Sequence, residues 1–390
     1  MTTPSLLRHI NALRCLRVLQ GGQNLSRADM ARALGLTRAT IGHAVAELAE
    51  AGLVVETEGR SPNPIGRPGV ALRLNPKGAQ FIGIEIDTRA IHGVLVSLDM
   101  AVTHRATVAT GPDFHDPSAM QARIVALALH LADQNRGVPL HGLGLVVPGL
   151  VGHGLVGHGG QIVNAPLLGW RNVAMRHALT QSLPDTWAVD VCNDAFAFAS
   201  AELVDRDAPR LNPLMVLLAE GVGSAYVADG HLVTGGHGFA GELGHMQIFA
   251  QGRVDRFEAF AGIAGFDQGA GQGMPVAEAV AALIAAKDHP DTKAALDRWA
   301  GALCVGLANA AHLLDPDRIV LGGPLSALYP LVCAKVEAGL AALMLQGHAS
   351  PTLHLARFGA EGAAIGAAAR LRARLFALPD LDQPRLAQSA

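Results

Sequence analysis

At 390 residues, 50% of them hydrophobic, the chain is long enough for about three domains with sizeable cores. Its four cysteines, Cys15, Cys192, Cys304 and Cys333, lie far apart without a CxxC pair, and no apolar run approaches the roughly 20 residues that cross a bilayer, which excludes a membrane span and predicts a reducing, cytoplasmic home. The formal charge of −3 sums two unlike parts: residues 1–76 carry nine Arg and no Lys against five Asp and Glu, a balance of +4, while residues 77–390 carry 21 basic and 28 acidic groups, or −7.

The opening Met1-Thr2-Thr3-Pro4-Ser5 lacks a basic region before Leu6-Leu7, and Arg8, Arg14 and Arg17 follow, unlike a signal peptide. Residues 5–20 are predicted as a first helix, ended by Gly21-Gly22. From Ser26 to Val54 the pattern is two capped helices around a glycine turn. Ser26 with Asp29 caps one, Thr37 caps the other, and Leu34, Ile41, Val45 and Leu48 form one buried stripe. This reads as a helix-turn-helix in which Arg38, Thr40 and His43 point outward from the start of the second helix, where a recognition helix touches base edges. An ordinary helical hairpin carries the same signature. Two strand-like runs, Leu53–Thr57 and Val70–Leu74, then enclose Ser61-Pro62-Asn63-Pro64-Ile65-Gly66-Arg67-Pro68, the layout of a winged helix-turn-helix. Gly66-Arg67-Pro68 is extended and narrow enough for Arg67 to enter an A·T-rich minor groove; a solvated, proline-stiffened linker is the alternative. The basic head suits phosphate contacts, and the acidic body keeps the remainder off nucleic acid.

Beyond Asn75-Pro76-Lys77-Gly78 the period changes from helical to alternating. Strands are predicted at Phe81–Ile86, His92–Leu98 and Thr103–Val108, then a helix over 117–135 and a buried strand at Leu143–Val147. Leu214–Leu218, Gly223–Ala228 and His231–Val233 form a second meander, followed by Ala-rich helices and the strand Arg318–Leu321. Two related lobes around a ligand-accepting cleft are expected.

Five motifs occur in order: Pro148-Gly149-Leu150-Val151, Asn164-Ala165-Pro166-Leu167-Leu168-Gly169-Trp170, Asn193-Asp194-Ala195, Gly238-Phe239-Ala240-Gly241-Glu242-Leu243-Gly244-His245 and Ile319-Val320-Leu321-Gly322-Gly323. In this order they resemble the ROK family of repressors and sugar kinases. With the N-terminal unit included, the chain is similar to the family's sugar-responsive regulators, of the kind answering to xylose or N-acetylglucosamine. The resemblance implies an α/β architecture, a winged helix-turn-helix followed by a two-lobed, actin-like (ribonuclease H-like) sugar kinase fold. The expected division is 1–76 for DNA binding, 77–190 for the first lobe with a C-terminal helix at about 361–376 returning to it, and 191–360 for the second lobe. It also implies a sugar site at Asn164, Asn193, Asp194, Glu242, His245 and Glu258, with Asp194 at the position where the kinases keep their general base. A ring of sugar hydroxyls is well matched by carboxylates, amides and imidazole. Read without the family, Asn193-Asp194 also fits a helix cap and Glu242-Leu243-Gly244-His245 a polar turn.

The resemblance weakens at the nucleotide and the metal. Where the kinases write Asp-x-Gly-Gly-Thr-Lys, the chain reads Glu85-Ile86-Asp87-Thr88-Arg89-Ala90, and Glu220 stands in the second phosphate loop where a threonine is usual. Carboxylates there repel ATP. Gly322-Gly323, at the adenosine motif, can be kept for packing alone. Phe249, Gln251 and Arg256 occupy the family's three zinc-cysteine positions after His245, so no metal is expected, and packing or Arg256 ion pairs must hold that loop. The expected protein is therefore a repressor, not an enzyme, without cofactor. It would bind double-stranded operator DNA and a small sugar effector, without a membrane, as a homodimer or dimer of dimers. An ATP-dependent sugar kinase with an appended DNA-binding domain is the alternative, and a constitutive DNA-binding protein is a third.

Overall fold

The computed structural model describes residues 4–22, 24–57, 70–152, 160–204, 211–266, 274–359 and 361–377. Local capping chemistry sets its first turns. After α1 (Pro4–Leu19) and a short strand β1 (Leu25–Ser26), the Ser26 hydroxyl accepts from the Asp29 amide at 3.2 Å while the Asp29 carboxylate accepts from the Ser26 amide at 3.0 Å. This reciprocal box starts α2 (Arg27–Leu34). Gly35, at φ +64°, ends it, and Thr37 starts α3 (Arg38–Glu50) by accepting from the Thr40 amide at 3.2 Å. Ile41, Val45 and Leu48 are buried and Leu34 packs partly beneath them. β2 (Val54–Thr57) and β3 (Ala71–Leu74) pair antiparallel, and β1 adds to the free edge of β3. The segment between β2 and β3 that carries Arg67 lies outside the described residues.

The body is one design used twice. β4 (Gln80–Ile86), β5 (Ala90–Ser97) and β6 (Val102–Ala109) form a meander, followed by α4 (Pro117–Asp133) and β7 (Leu140–Val147), which returns parallel to β4. A small sheet of β8 (Leu150–Val151), β9 (Ile162–Ala165) and β10 (Trp170–Val173) precedes α5 (Met175–Ser182) and β11 (Ala188–Asn193), parallel to β7. The first sheet has the order β11-β7-β4-β5-β6. After α6 (Asp194–Glu202), β12 (Leu214–Leu218), β13 (Val222–Ala228) and β14 (His231–Leu232) repeat the meander. A hairpin of β15 (Gln247–Ala250) and β16 (Arg253–Arg256) follows, then α7 (Phe257–Ala261), α8 (Val276–Ala285), α9 (Pro290–Leu314), β17 (Arg318–Gly322), α10 (Cys333–Leu343), β18 (Thr352–Leu355) and α11 (Gly362–Leu375). The second sheet, β14-β13-β12-β17-β18, matches the first position by position. β11 pairs with β7 through Asn193, so the first sheet continues past residue 190, where the lobes were expected to divide.

Helix α11 returns to the first sheet at backbone distance. A Cβ at Gly144 would stand 2.5 Å from the Ala367 carbonyl oxygen, and one at Gly366 would overlap the Ala197 carbonyl of α6. The missing side chains let α11 lie against the sheet and α6 together. At the far end of α11 the N-terminal helices keep no private core: Leu16 and Leu19 of α1 share one apolar cluster with Phe81, Val96, Val204 and Phe376. Arg17 Nε donates to the Phe376 carbonyl at 3.1 Å. Among the described residues, no single helix is long and apolar enough to cross a membrane.

Candidate functional site

The candidate site is built around the junction of β11 with α6. Asn193 ends the strand in an extended conformation, and its Oδ1 accepts from the Phe196 amide at 3.0 Å, so its side-chain oxygen serves as the helix cap. Asp194 is the first helical residue, and its Oδ1 accepts from the Ala195 amide at 2.8 Å. Burial pushes its carboxyl up to about 6; that backbone bond works the other way, and the charges of Glu242 and Glu220 add to the rise. Glu85, near the end of β4, belongs to the same group. Burial pushes it up to about 8, with Asp194, Asp87 and Glu220 reinforcing the shift.

The opposite wall comes from the second sheet and its insertions. Glu258 of α7 pairs with Arg256 at 2.8 Å through Oε1, while its Oε2 lies where a Cβ on Gly221 would come within 2.8 Å and one on Gly244 within 3.3 Å. Glu242 is raised by burial, with His245 opposing and Glu258 reinforcing; the Glu242 and His245 side chains stand 3.8 Å apart. A Cβ at Gly223 would fall 3.9 Å from Asp194 Oδ1, which brings the two walls together at the Asp194 carboxylate. Asp194, Glu242, His245 and Glu258 therefore form one neighbourhood. Asn164 lies on β9, in register with Leu150 and Arg171. Gly149, at φ +140°, lets the chain pass 2.5 Å from the Asn164 carbonyl oxygen where a Cβ would sit. Glu85 is the acid that sequence reasoning did not single out for the site. Its signal was a carboxylate inside the apolar run Phe81-Ile82-Gly83-Ile84-Glu85-Ile86.

The segment after His245 is a hairpin. Gln251 and Gly252 at its tip have φ of +52° and +77°, the left-handed pair of a type I′ turn. Ile248 is buried beneath it, Arg253 stacks 4.8 Å over the Phe260 ring, and Arg256 makes the ion pair with Glu258. Zinc in such a segment takes four N or S ligands at about 2.0–2.3 Å. Phe249, Gln251 and Arg256 supply no thiolate or imidazole, so these residues do not fit that metal. Gly322 lies directly against the Phe198 ring of α6, which is a packing use of the glycine.

At the other end of the molecule, Arg38 and His43 are exposed on α3, and Thr40 is half-buried with its hydroxyl 2.9 Å from that of Thr37. Arg27 of α2 pairs with Glu56 of β2 at 2.8 Å on the surface.

The ROK family model matches residues 81–374. The chain is 26% identical over 364 residues to a xylose repressor of Caldicellulosiruptor bescii, covering 86% of this chain and 88% of the relative. Among solved structures, a ROK family transcriptional regulator, a homolog of the E. coli MLC protein, aligns with a TM-score of 0.74 at 22% identity, over 95% of this chain and 97% of that one. A ROK family glucokinase from Streptomyces griseus, in complex with glucose and AMPPNP, aligns with a TM-score of 0.60 at 21% identity, over 74% of this chain and 98% of that one. The structural likenesses carry the fold, the two-lobed actin-like architecture, and the sequence match from β4 to α11 carries the family: the chain belongs to the ROK family.

Proposed function

We propose that the protein is a sugar-responsive transcription repressor whose ROK body binds its effector without phosphorylating it. The observation that carries this reading is the unit α1–α3 with β1–β3, which precedes the family match and is spanned by the regulator likeness over 95% of the chain. In this reading residues 1–76 form a winged helix-turn-helix, the first lobe runs from 77 to the end of β11 at Asn193 with α11 returning to it, and the second lobe follows. Arg38, Thr40 and His43 read the major groove, and Arg67 enters the minor groove beside it. The protein acts in the cytoplasm as a homodimer whose heads match two half-sites. The sugar lies among Asn164, Asn193, Asp194, Glu242, His245 and Glu258. Asp87 and Glu220, whose charges already raise Glu85, disfavour a triphosphate.

The test begins by selecting bound duplexes from a random library, then titrates the selected operator against D-xylose, D-glucose, N-acetylglucosamine and their phosphates. Selection of a two-half-site sequence, its release by one sugar, and no phosphorylation of that sugar by ATP are expected. A ligand at about 100 times its Kd should also stabilise the fold by about 2.7 kcal/mol. Failure to select any sequence overturns the reading. Rapid ATP-dependent phosphorylation would favour a sugar kinase with an appended DNA-binding head, a reading for which the Asp194 carboxyl, near 6 and suited to a general base, is the specific support. Elemental analysis of the purified protein should find no stoichiometric zinc, and one Zn²⁺ per chain would contradict the ligand assignment.

The arginines of the head should separate by groove. Arg38→Ala should cost about 1–3 kcal/mol on the selected operator and relax preference at one or two major-groove positions. Arg67→Ala should act mainly on operators with an A·T-rich flank. Uniform weakening across all sequences would reduce both side chains to phosphate contacts.

A further inference from the structure

The chain that joins the head to the first sheet is not a free linker. The Asn75 amide donates to the Leu53 carbonyl at 2.9 Å and its side-chain Nδ2 to the Gly52 carbonyl at 2.6 Å, which holds the approach to β4 on the turn between α3 and β2. A Cβ at Gly78 would stand 2.5 Å from the same Gly52 oxygen and 3.1 Å from Leu53 Cα, so backbone meets backbone there. Two further contacts lie outside the linker. At the end of α1, Arg17 Nε donates to the Phe376 carbonyl at 3.1 Å, and Leu16, Leu19, Phe81 and Phe376 are buried in one apolar cluster. Beside it, Leu19, Gly22 and Leu74 of the head line a small cavity together with Asp99 of the turn between β5 and β6. Leu98 and Met100, on either side of Asp99, are buried in the same cluster, and the Arg372 guanidinium of α11 donates to the Leu98 carbonyl at 3.3 Å. A hinge needs a few residues that can change their backbone angles without breaking packing. Residues 75–78 cannot turn without losing Gly52 and Leu53, and the contacts of α1 would have to open with them.

We propose that the head has no hinge of its own: it moves with the first sheet and α11 as one body, and a ligand in the body changes operator binding only through the spacing and tilt of two heads in a pair of copies. This rests on the reading of the protein as a sugar-responsive repressor that works in pairs. A single head then holds a half-site equally well with and without sugar, because nothing within the head or its seat changes. The pair is different. Half-sites lie one helical turn, about 34–36 Å, or a multiple apart, and one base pair is about 3.4 Å along the axis. A displacement of that size between the two bodies puts one recognition helix out of register with its groove. A head on a flexible tether would absorb the displacement, whereas a fixed head transmits it in full. The seat of α1 on α11 and the contact of Gly78 with Gly52 are thereby part of the response.

The first arm of the test needs neither sugar nor DNA. Spin labels are placed on the full-length chain in a Cys333→Ser background, the other three cysteines being buried. The pair Glu47→Cys on α3 and Ala126→Cys on α4 reports the head against the first lobe, and Thr107→Cys on β6 with Ala126→Cys is the reference within that lobe. One head distance, no broader than the reference, is expected; a distribution at least twice as broad, or two distances, would overturn the proposal. The second arm compares operators carrying one half-site and two, with D-xylose, D-glucose or N-acetylglucosamine. The sugar that releases the paired operator should weaken it at least tenfold, should change single-half-site affinity less than twofold, and should act differently when one or two base pairs are added between the half-sites. Equal weakening of both operators would place the effect inside the head and overturn the proposal. Gly78→Ala, which forces a Cβ against the Gly52 oxygen, should broaden the head distance and diminish the sugar response; broadening with a full response would also overturn it. Should Gly78→Ala fail to fold, as judged by circular dichroism, the two parent measurements decide. No response to any sugar beside a single narrow head distance would end the effector reading and leave the fixed head standing.

Discussion

Glu85→Gln should raise the stability of the folded protein at pH 8 and flatten its dependence on pH between about 5 and 8. The Glu85 carboxyl is pushed by burial, with Asp194, Asp87 and Glu220 beside it, from 4.5 to about 8. A carboxyl whose folded value lies above its unfolded one binds its proton more tightly in the folded state. Its contribution is complete below about 4.5 and is lost as pH rises through about 8. At 1.36 kcal/mol per unit the ceiling is about 5 kcal/mol, and relaxation of a coupled acidic group brings the expected effect to about 2–4 kcal/mol. Asp194 adds a smaller fall of the same sign through its own value near 6. Urea unfolding of the parent and Glu85→Gln at pH 5, 6.5 and 8 measures this directly. Parallel curves at all three values would mean that Glu85 ionises freely and does not face the acidic group.

The parts of the fold that could be read from sequence are those whose causes lie close together in the chain. Ser26 with Asp29, Thr37 with Thr40, and the alternation in the two meanders each act over a few residues, so α2, α3, both meanders and the strands β7 and β17 were expected where they stand, while β18 was not. β11 was expected only through its end, the strand-to-helix junction at Asn193-Asp194, because Asp190 puts a charge in the middle of the buried strand. It is tolerated because Arg370 donates to it at 2.6 Å and Arg374 pairs with it as well, both from the far end of the chain. Glu202 was hidden in the same way, inside an Ala-rich helix whose partner Arg357 follows only after the whole second sheet. In the site, the acids of Asn193-Asp194 and of Glu242 to His245 were legible through the family's motifs. The same motifs left Asn193 open between cap and ligand, and its oxygen is committed to the Phe196 amide. The β15–β16 hairpin carries Gln-Gly at its tip, a weaker turn signal than Asn-Gly, so it was expected only as a segment that must be held without zinc.

Asp194→Ala should abolish the response to effector while leaving operator affinity without effector nearly unchanged. A carboxylate that accepts from two sugar hydroxyls makes charge-assisted bonds, and its truncation leaves those hydroxyls unpaired, so the loss should be about 1.5–3 kcal/mol, or about 10- to 150-fold in sugar affinity. Because the Asp194 carboxyl lies near 6, the parent should bind sugar more tightly as pH rises through that value and the deprotonated acceptor becomes dominant, whereas Asp194→Ala should show no such step. The operator side follows from linkage. A ligand moves the DNA equilibrium only by its differential affinity for the two lobe arrangements, and Asp194 is the first residue of α6, not part of α3. Titrating operator with parent and variant, each with and without the sugar that releases the parent, separates the terms. If Asp194→Ala keeps the full response, the carboxylate is part of the helix start and not of the sugar site; if it loses operator binding outright, α6 is needed to hold the head and the effect says nothing of the ligand. Only loss of response with retained operator binding places the sugar against Asp194.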